Sequence, residues 1–265
     1  MVQRALIGTD PEAFVAEGPN IVHCIDMLGG SKQAPLLVLD GGIQEDNVLF
    51  ECNVDPSDDP DVFLQRLRTV LSQGRDILLQ HGLRLVPGVS SHIYNPEVLA
   101  TFPPKAFEFG CTPDYNFMTG EENPSPSATN ECLRTAGGHV HIGFDHLVEV
   151  TRDVQIRVGQ MCDYVLGLPS LLEDTDDRRR ELYGRAGAGR FKPYGIEYRT
   201  LSNYWVWDDE LVCLIHKRAQ NAFSKHERLE ELKAIIPLED VQNAINTNNR
   251  VEAKAMLKLL VNLGV

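Results

Sequence analysis

Four segments of this chain each place two polar side chains at i and i+2: Asp10 and Glu12, Glu51 and Asn53, His139 and His141, Glu197 and Arg199. Successive side chains of an extended strand alternate between faces, so each pair shares one face of a sheet. In three of the four the intervening residue is large and apolar (Cys52, Val140, Tyr198), as a strand with a buried back requires. One such pair is ordinary alternation. Four that become neighbours would gather four acids and two imidazoles on a single surface. Carboxylates packed that closely raise one another's pKa and cannot all stay ionised without cations. Hard oxygen donors with one or two imidazoles suit Mg²⁺ or Mn²⁺ accompanied by phosphate oxygens, whereas a structural Zn²⁺ would ask for thiolates. A polar face solvated by water is the plain alternative.

The rest of the pattern supplies a frame for such a face. RALIGTD, EAFVA, LLVLD and VLFECNV read as short early strands, with Gly29-Gly30 and Gly41-Gly42 as turns. Asp58, Asp59 and Pro60 are helix-start chemistry, and Phe63, Leu67, Val70, Leu71 and Leu78 follow at helical spacing up to Gly82. LRLVPG, HVHIGFD and GIEYRTLS read as further strands, residues 151–172 and 176–183 as helices, and residues 208–265 as helices broken near Pro237 and at 246–249. Residues 88–137 are rich in Pro, Gly and Asn, with short pieces such as AFEFG, and a loop of that length in a compact domain commonly lines a site. Strands early and helices late predict an α+β fold: an antiparallel sheet with helices packed on one face.

Composition narrows the partners. With 25 Lys and Arg against 38 Asp and Glu, the net charge of −13 repels polyanions, so neither nucleic acid nor an anionic membrane is expected. At 265 residues and 43% hydrophobic the chain can fill one large domain; disordered and fibrous classes are excluded. No 18-residue apolar run and no signal peptide are read, which makes the expected location cytoplasmic. The six cysteines include no CxxC pair, as for reduced thiols; Cys52, between two polar strand positions, is the one whose address suggests chemistry.

Against the acidic background, DRRRELYGRAGAGRFKPYGIEYR concentrates seven cations: Arg178, Arg179, Arg180, Arg185, Arg190, Lys192 and Arg199. Its glycines 184, 187, 189 and 195 leave the backbone mobile or closely approachable, as a loop closing on an anion would be. Guanidinium groups beside metal-bound carboxylates are what phosphoryl transfer requires. A structural salt-bridge helix would account for residues 178–180 but poorly for the Gly-spaced Arg190 and Lys192.

With these motifs in order, residues 4–207 resemble the carboxylate-amine ligases of the glutamine synthetase and glutamate-cysteine ligase superfamily, most of all the compact phage-type COOH-NH2 ligases. GTDPEAF is similar to the family's first acidic strand, FECNVDP to its second, GGHVHIG to its His-x-His strand and KPYGIEYR to its Glu-x-Arg strand. The resemblance implies one catalytic domain over residues 1–265, with 208–265 as its helical part, and a twisted antiparallel sheet whose concave face binds ATP and two or three Mg²⁺ or Mn²⁺ ions. It implies that Asp10, His139 and Glu197 hold one ion and Glu12 and Glu51 another. His141, Arg185, Arg190 and Lys192 would meet the nucleotide phosphates, Arg134 and Thr135 would line the substrate pocket, and Arg199 would bind the substrate carboxyl or its acyl-phosphate. Arg190, Glu197 and Arg199 thereby become the catalytic candidates.

There are departures from the family pattern. Asp10 stands where a Glu is usual, and a further acid expected near Glu51 falls among Gln44, Glu45 and Asp46 without assignment. The large N-terminal domain of glutamine synthetase has no counterpart, so its dodecamer is not assumed and the oligomeric state stays open. The implied reaction is ATP-dependent joining of a small-molecule or peptide carboxylate to an amine through an acyl-phosphate, with release of ADP and phosphate. A guanidino-kinase-like phosphotransferase on the same fold and a non-catalytic nucleotide or metal sensor are the alternatives.

Overall fold

The computed structural model describes residues 4–107, 114–123, 132–181 and 183–265, and its longest strand, β1 (Leu6–Glu17), is the axis of the fold. After it come β2 (Asn20–Val22), β3 (Leu36–Val38), β4 (Gly41–Asp46), β5 (Leu49–Ser57), β6 (Arg84–Val86), β7 (Ser91–Ile93), β8 (Tyr115–Asn116), β9 (Leu133–Thr135), β10 (Gly138–Gly143), β11 (Ala188–Lys192) and β12 (Gly195–Tyr198). The main path is antiparallel, in the order β3-β4-β5-β1-β10-β12-β11-β8; β2 and β6 pair with the far end of β1, and β7 pairs with β9 separately. Residues expected as two strands, RALIGTD and EAFVA, therefore form one. Pro11 sits inside it with no N–H to give, and the ladder is carried past by Glu12 N, which donates to Gly137 O at 2.8 Å.

Register converts the sequence pairs into a surface. Asp10 lies opposite His139, Glu12 opposite Glu51, His141 opposite Glu197, and Glu197 opposite Arg190. The alternate residues Ile7, Ala13, Val15, Phe50, Cys52, Val140, Ile142, Ile196 and Tyr198 form the other face and are buried in the main core. Helices α1 (Pro60–Gln80), α3 (Arg152–Cys162) and α5 (Asp209–Ser224) cover that face with Phe63, Leu67, Val70, Val158, Met161, Val212 and Ile215. Each such large side chain contributes about 1.5–3 kcal/mol by leaving water. The α1 start is as expected: Asp59 accepts from Asp61 N and Val62 N, with Pro60 at the first helical position. The remaining helices are α2 (Pro96–Leu99), α4 (Leu168–Glu173), α6 (Leu229–Ile235), α7 (Leu238–Asn246) and α8 (Arg250–Asn262). The protein is thus α+β with a large antiparallel sheet, and no helix among the described residues is long and apolar enough to cross a membrane.

Four expectations change. The helix predicted over 151–172 contains a π-helical stretch, Asp163–Gly167, between α3 and α4. Asp163 is fully buried there and accepts hydrogen bonds from Gly187 N (2.8 Å), Tyr198 Oη (2.7 Å) and Gln242 Nε2 (2.7 Å); burial lifts its carboxyl to about 6 against those three donors. The helix expected over 176–183 shrinks to a 3₁₀ turn, Arg178–Glu181, with Leu182 outside the described residues. The basic segment is not a closing loop, because Arg190 and Lys192 lie on β11, hydrogen-bonded to β12 in a hairpin. Its glycines serve close packing: a Cβ on Gly189 would sit 2.1 Å from the Phe117 ring. Of the AFEFG piece, Pro104–Phe107 is a 3₁₀ turn and residues 108–110 lie outside the described residues, as does Cys111. Cys52 is buried on the apolar face, where desolvation pushes its thiol well up and makes it inert.

Candidate metal and phosphate site

β1 carries Asp10 and Glu12 at the centre of the polar face, and its neighbours complete two ligand groups around them. Asp10, His141 and Glu197 form one; Glu12, Asp46 and Glu51 form the other; within each group one donor atom per residue lies within 4.8 Å of the rest. That spacing is right for a cation with ligands at about 2.0–2.6 Å. His139 reaches the first pair of carboxylates through Nδ1, 3.1 Å from Asp10 Oδ1 and 3.9 Å from Glu197 Oε1. His141 approaches from its other nitrogen: Nε2 is 3.2 Å from Asp10 Oδ1, while Nδ1 lies 2.6 Å from Tyr194 Oη.

Of the two acids among residues 44–46, Asp46 is the one whose carboxylate gathers with Glu12 and Glu51. Gln44 and Asp46 share the polar face of β4; Gln44 donates from Nε2 to Glu51 Oε2 at 2.7 Å and accepts from Asn53 Nδ2 at 3.1 Å. Glu45 points away and meets Lys105 Nζ at 3.3 Å. The tight turn at Asn47, whose φ is +55°, places Gln44 opposite Glu51 and Asp46 opposite Leu49.

Electrostatics divides the two groups. Burial, then the neighbouring Asp46, raises Glu12 to about 7 although it accepts from Gly137 N at 2.6 Å. Burial and the charges of Asp10, Asp46 and Glu12 push Glu51 well above the usual carboxylate range. Burial would raise Asp10 too, but His141 and His139 hold it well below its ordinary value. Glu197 feels burial and Asp10 as raising influences, and Arg199 with the two imidazoles outweighs them, giving about 2. Burial and Arg199 bring His139 down to about 4, leaving the neutral imidazole that a metal requires; at His141 the pull of Asp10 overcomes burial and raises the pKa.

Those shifts fix a sign. Groups raised in the folded state, Glu12, Glu51 and His141, lend stability at low pH and lose it as pH climbs through their folded values. His139 works oppositely, but only below its unfolded value near 6.5. Above pH 6.5, where His139 no longer opposes them, the metal-free protein is therefore expected to lose unfolding free energy as pH rises. Urea titrations in EDTA check it, and a flat or rising profile contradicts the geometry. Excess Mn²⁺ should abolish the decline, because ligand binding favours the deprotonated carboxylates.

Three cations converge on Glu197. Arg199 pairs with Oε1, Arg190 Nη1 lies 3.2 Å from the same oxygen, and Lys192 Nζ lies 2.7 Å from Oε2. Beside His141 opens a cavity of about 430 Å³ walled by Leu6, Val54, Pro56 and Tyr194, with Asn53 and Asp145 as polar members. The other candidates lie apart from this convergence in role. Arg134 is buried and donates to Ala106 O at 2.7 Å and Asn47 Oδ1 at 3.1 Å, bracing two turns. Thr135 is buried opposite Ser91 in the β7–β9 pair. Arg185 is exposed, and its carbonyl accepts from Thr200 Oγ1 at 2.8 Å. Sequence reasoning missed Tyr194, which nothing in its local pattern distinguishes.

With this geometry in place, comparison adds one match: residues 132–262 fit the family model described as Phage phiEco32-like COOH.NH2 ligase-type 2. That stretch is similar to the phage-type COOH.NH2 ligases. No curated protein matches the chain. The match bears out the resemblance read from the motifs and supports a ligase that joins a carboxyl to an amine. Within the matched segment fall the His139–His141 strand, the β11–β12 hairpin with Arg190, Lys192 and Glu197, and Arg199 just after it. Asp10, Glu12, Asp46 and Glu51 precede that segment, and the pairing of β1 with β10 and β5 attaches them to the matched part of the sheet.

Proposed function

We propose that this ligase activates its carboxylate substrate with ATP, using Mg²⁺ or Mn²⁺, and passes the acyl-phosphate to an amine, releasing ADP and phosphate. The carrying observation is the adjacency on β1 of two ligand groups, one flanked by three cations. The donor set fits divalent metal: His141 Nε2 is buried without a hydrogen bond although it faces Asp10. Asp10, His141 and Glu197, with His139 beside them, would hold one ion, and Glu12, Asp46 and Glu51 the other. Ions held there would neutralise phosphoryl oxygens and would let the acids stay ionised.

The chain's own residues do the rest. A carboxylate is a poor electrophile, and phosphorylation by ATP turns one oxygen into a leaving group. Arg190, Lys192 and Arg199, which crowd one carboxylate in the metal-free protein, are placed to turn toward phosphoryl charge as it develops. The cavity beside His141, with apolar walls and few polar groups, accommodates the nucleoside end of ATP.

Oxygen tracing tests the reading. When an amine attacks an acyl-phosphate, the oxygen bridging carbon and phosphorus leaves with phosphate. One ¹⁸O from a labelled carboxylate is therefore expected in inorganic phosphate, together with an amide. A guanidino kinase would release no phosphate and would leave a phosphoguanidine, and unlabelled phosphate would equally overturn the ligase mechanism.

A further inference from the structure

The hairpin turn between β11 and β12 reaches into the ligand set. Gly195, at φ +151°, brings its backbone so close to β10 that an added Cβ would lie 2.0 Å from Ile142 O. Tyr194 O accepts from Phe144 N at 2.8 Å, fastening the turn to the end of β10. The Tyr194 ring is thereby held beside His141, with centroids 6.1 Å apart, and its hydroxyl lies 2.6 Å from His141 Nδ1.

A neutral imidazole carries its single proton on one nitrogen, and the partner of that nitrogen decides which. With the proton on Nε2 the N–H would face Asp10 Oδ1 at 3.2 Å in a geometry that makes no regular hydrogen bond, whereas Nδ1 lies 2.6 Å from the tyrosine oxygen. With the proton on Nδ1, the N–H donates to the tyrosine oxygen, and Nε2 turns a lone pair toward the space shared with Asp10 and Glu197. We propose that Tyr194 is a positioning residue that fixes His141 in its Nδ1–H tautomer and orientation, presenting Nε2 as a ligand for a divalent metal. The inference rests on the metal reading of the site and adds to it a phenol in the role more often filled by a carboxylate or a backbone carbonyl.

Tyr194→Phe keeps the ring and its packing and removes only the acceptor. Two measurements on the nucleotide-free protein read the result. Mn²⁺ titration followed by electron paramagnetic resonance should show affinity weakened about tenfold or more. Long-range ¹H–¹⁵N spectra of the metal-free protein, recorded at a pH high enough for the His141 ring to be neutral, should show His141 in the Nδ1–H form, and in Tyr194→Phe a move toward the Nε2–H form, with the thermal midpoint little changed. An unaltered tautomer with unaltered Mn²⁺ affinity overturns the proposal, and so does weaker binding without a tautomer change, which would mark a merely structural role. His141→Ala separates the premises. If it weakens Mn²⁺ while Tyr194→Phe does not, only the tyrosine inference falls; if neither does, the metal reading at His141 falls with it.

Discussion

Glu197→Gln is expected to lower turnover by a factor on the order of 10³ at saturating ATP and metal. The amide keeps the shape and one acceptor oxygen but removes the charge on which Arg190, Lys192 and Arg199 converge and which stands with Asp10 and His141 in one ligand group. Because Glu197 is fully buried, those cations lose their counter-charge in a poorly solvated place, and breaking such a pairing costs about 3–5 kcal/mol. Two readouts are needed. Steady-state rates report the chemistry and urea titration the stability, and saturating Mn²⁺ should no longer restore either. Turnover within tenfold of the parent protein would remove Glu197 from the site.

Gly137→Ala should produce the next largest effect, through crowding rather than charge. The backbone of Gly137 is not in the left-handed region, so alanine is conformationally acceptable; the obstacle is that its Cβ would lie 2.3 Å from His139 Nε2 and 3.0 Å from Arg179 Nη2. Arg179 cannot easily yield, since it is buried and donates to Thr200 O at 3.0 Å and Arg199 O at 3.2 Å. Displacement therefore falls on the His139 ring and on the backbone amide that supports Glu12. An overpacking penalty of about 1–3 kcal/mol is expected, with turnover reduced about 10²-fold by misplaced groups. Gly8→Ala is the control, because its Cβ would meet nothing nearer than 3.5 Å. Equal losses of stability in the two variants would refute the steric account.

How much of this was legible beforehand follows from what a strand shows in its own sequence. Asp10 with Glu12, Glu51 with Asn53, and His139 with His141 could be put on a face because alternation is local. Their mutual contact depends on register, which is set between strands, and so the roles of the two imidazoles stayed with the resemblance until distances placed both at Asp10. Asp46 was hidden because its partner position across the turn is Leu49, not an acid. Arg190 and Lys192 looked like loop residues because the glycines around them signalled freedom; packing of Gly189 on Phe117 was the actual demand, and a ring seventy residues away is invisible in a local window. The π-helical stretch escaped for the same reason: Asp163 takes its partners from Gly187, Tyr198 and Gln242, none of them near it in sequence.

Those three bonds also bear on how this protein can be shortened. Gln242 belongs to α7, in a helical segment remote in sequence from every ligand, and a chain ended after Ile236 would leave Asp163 one donor short and strip the α7 cover from the stretch that carries it. The strain would pass to Tyr198, which immediately follows Glu197 on β12. Proteolysis or truncation of the last thirty or so residues would thus unfasten the strand that aims the central acid, even though no severed atom comes from a ligand residue.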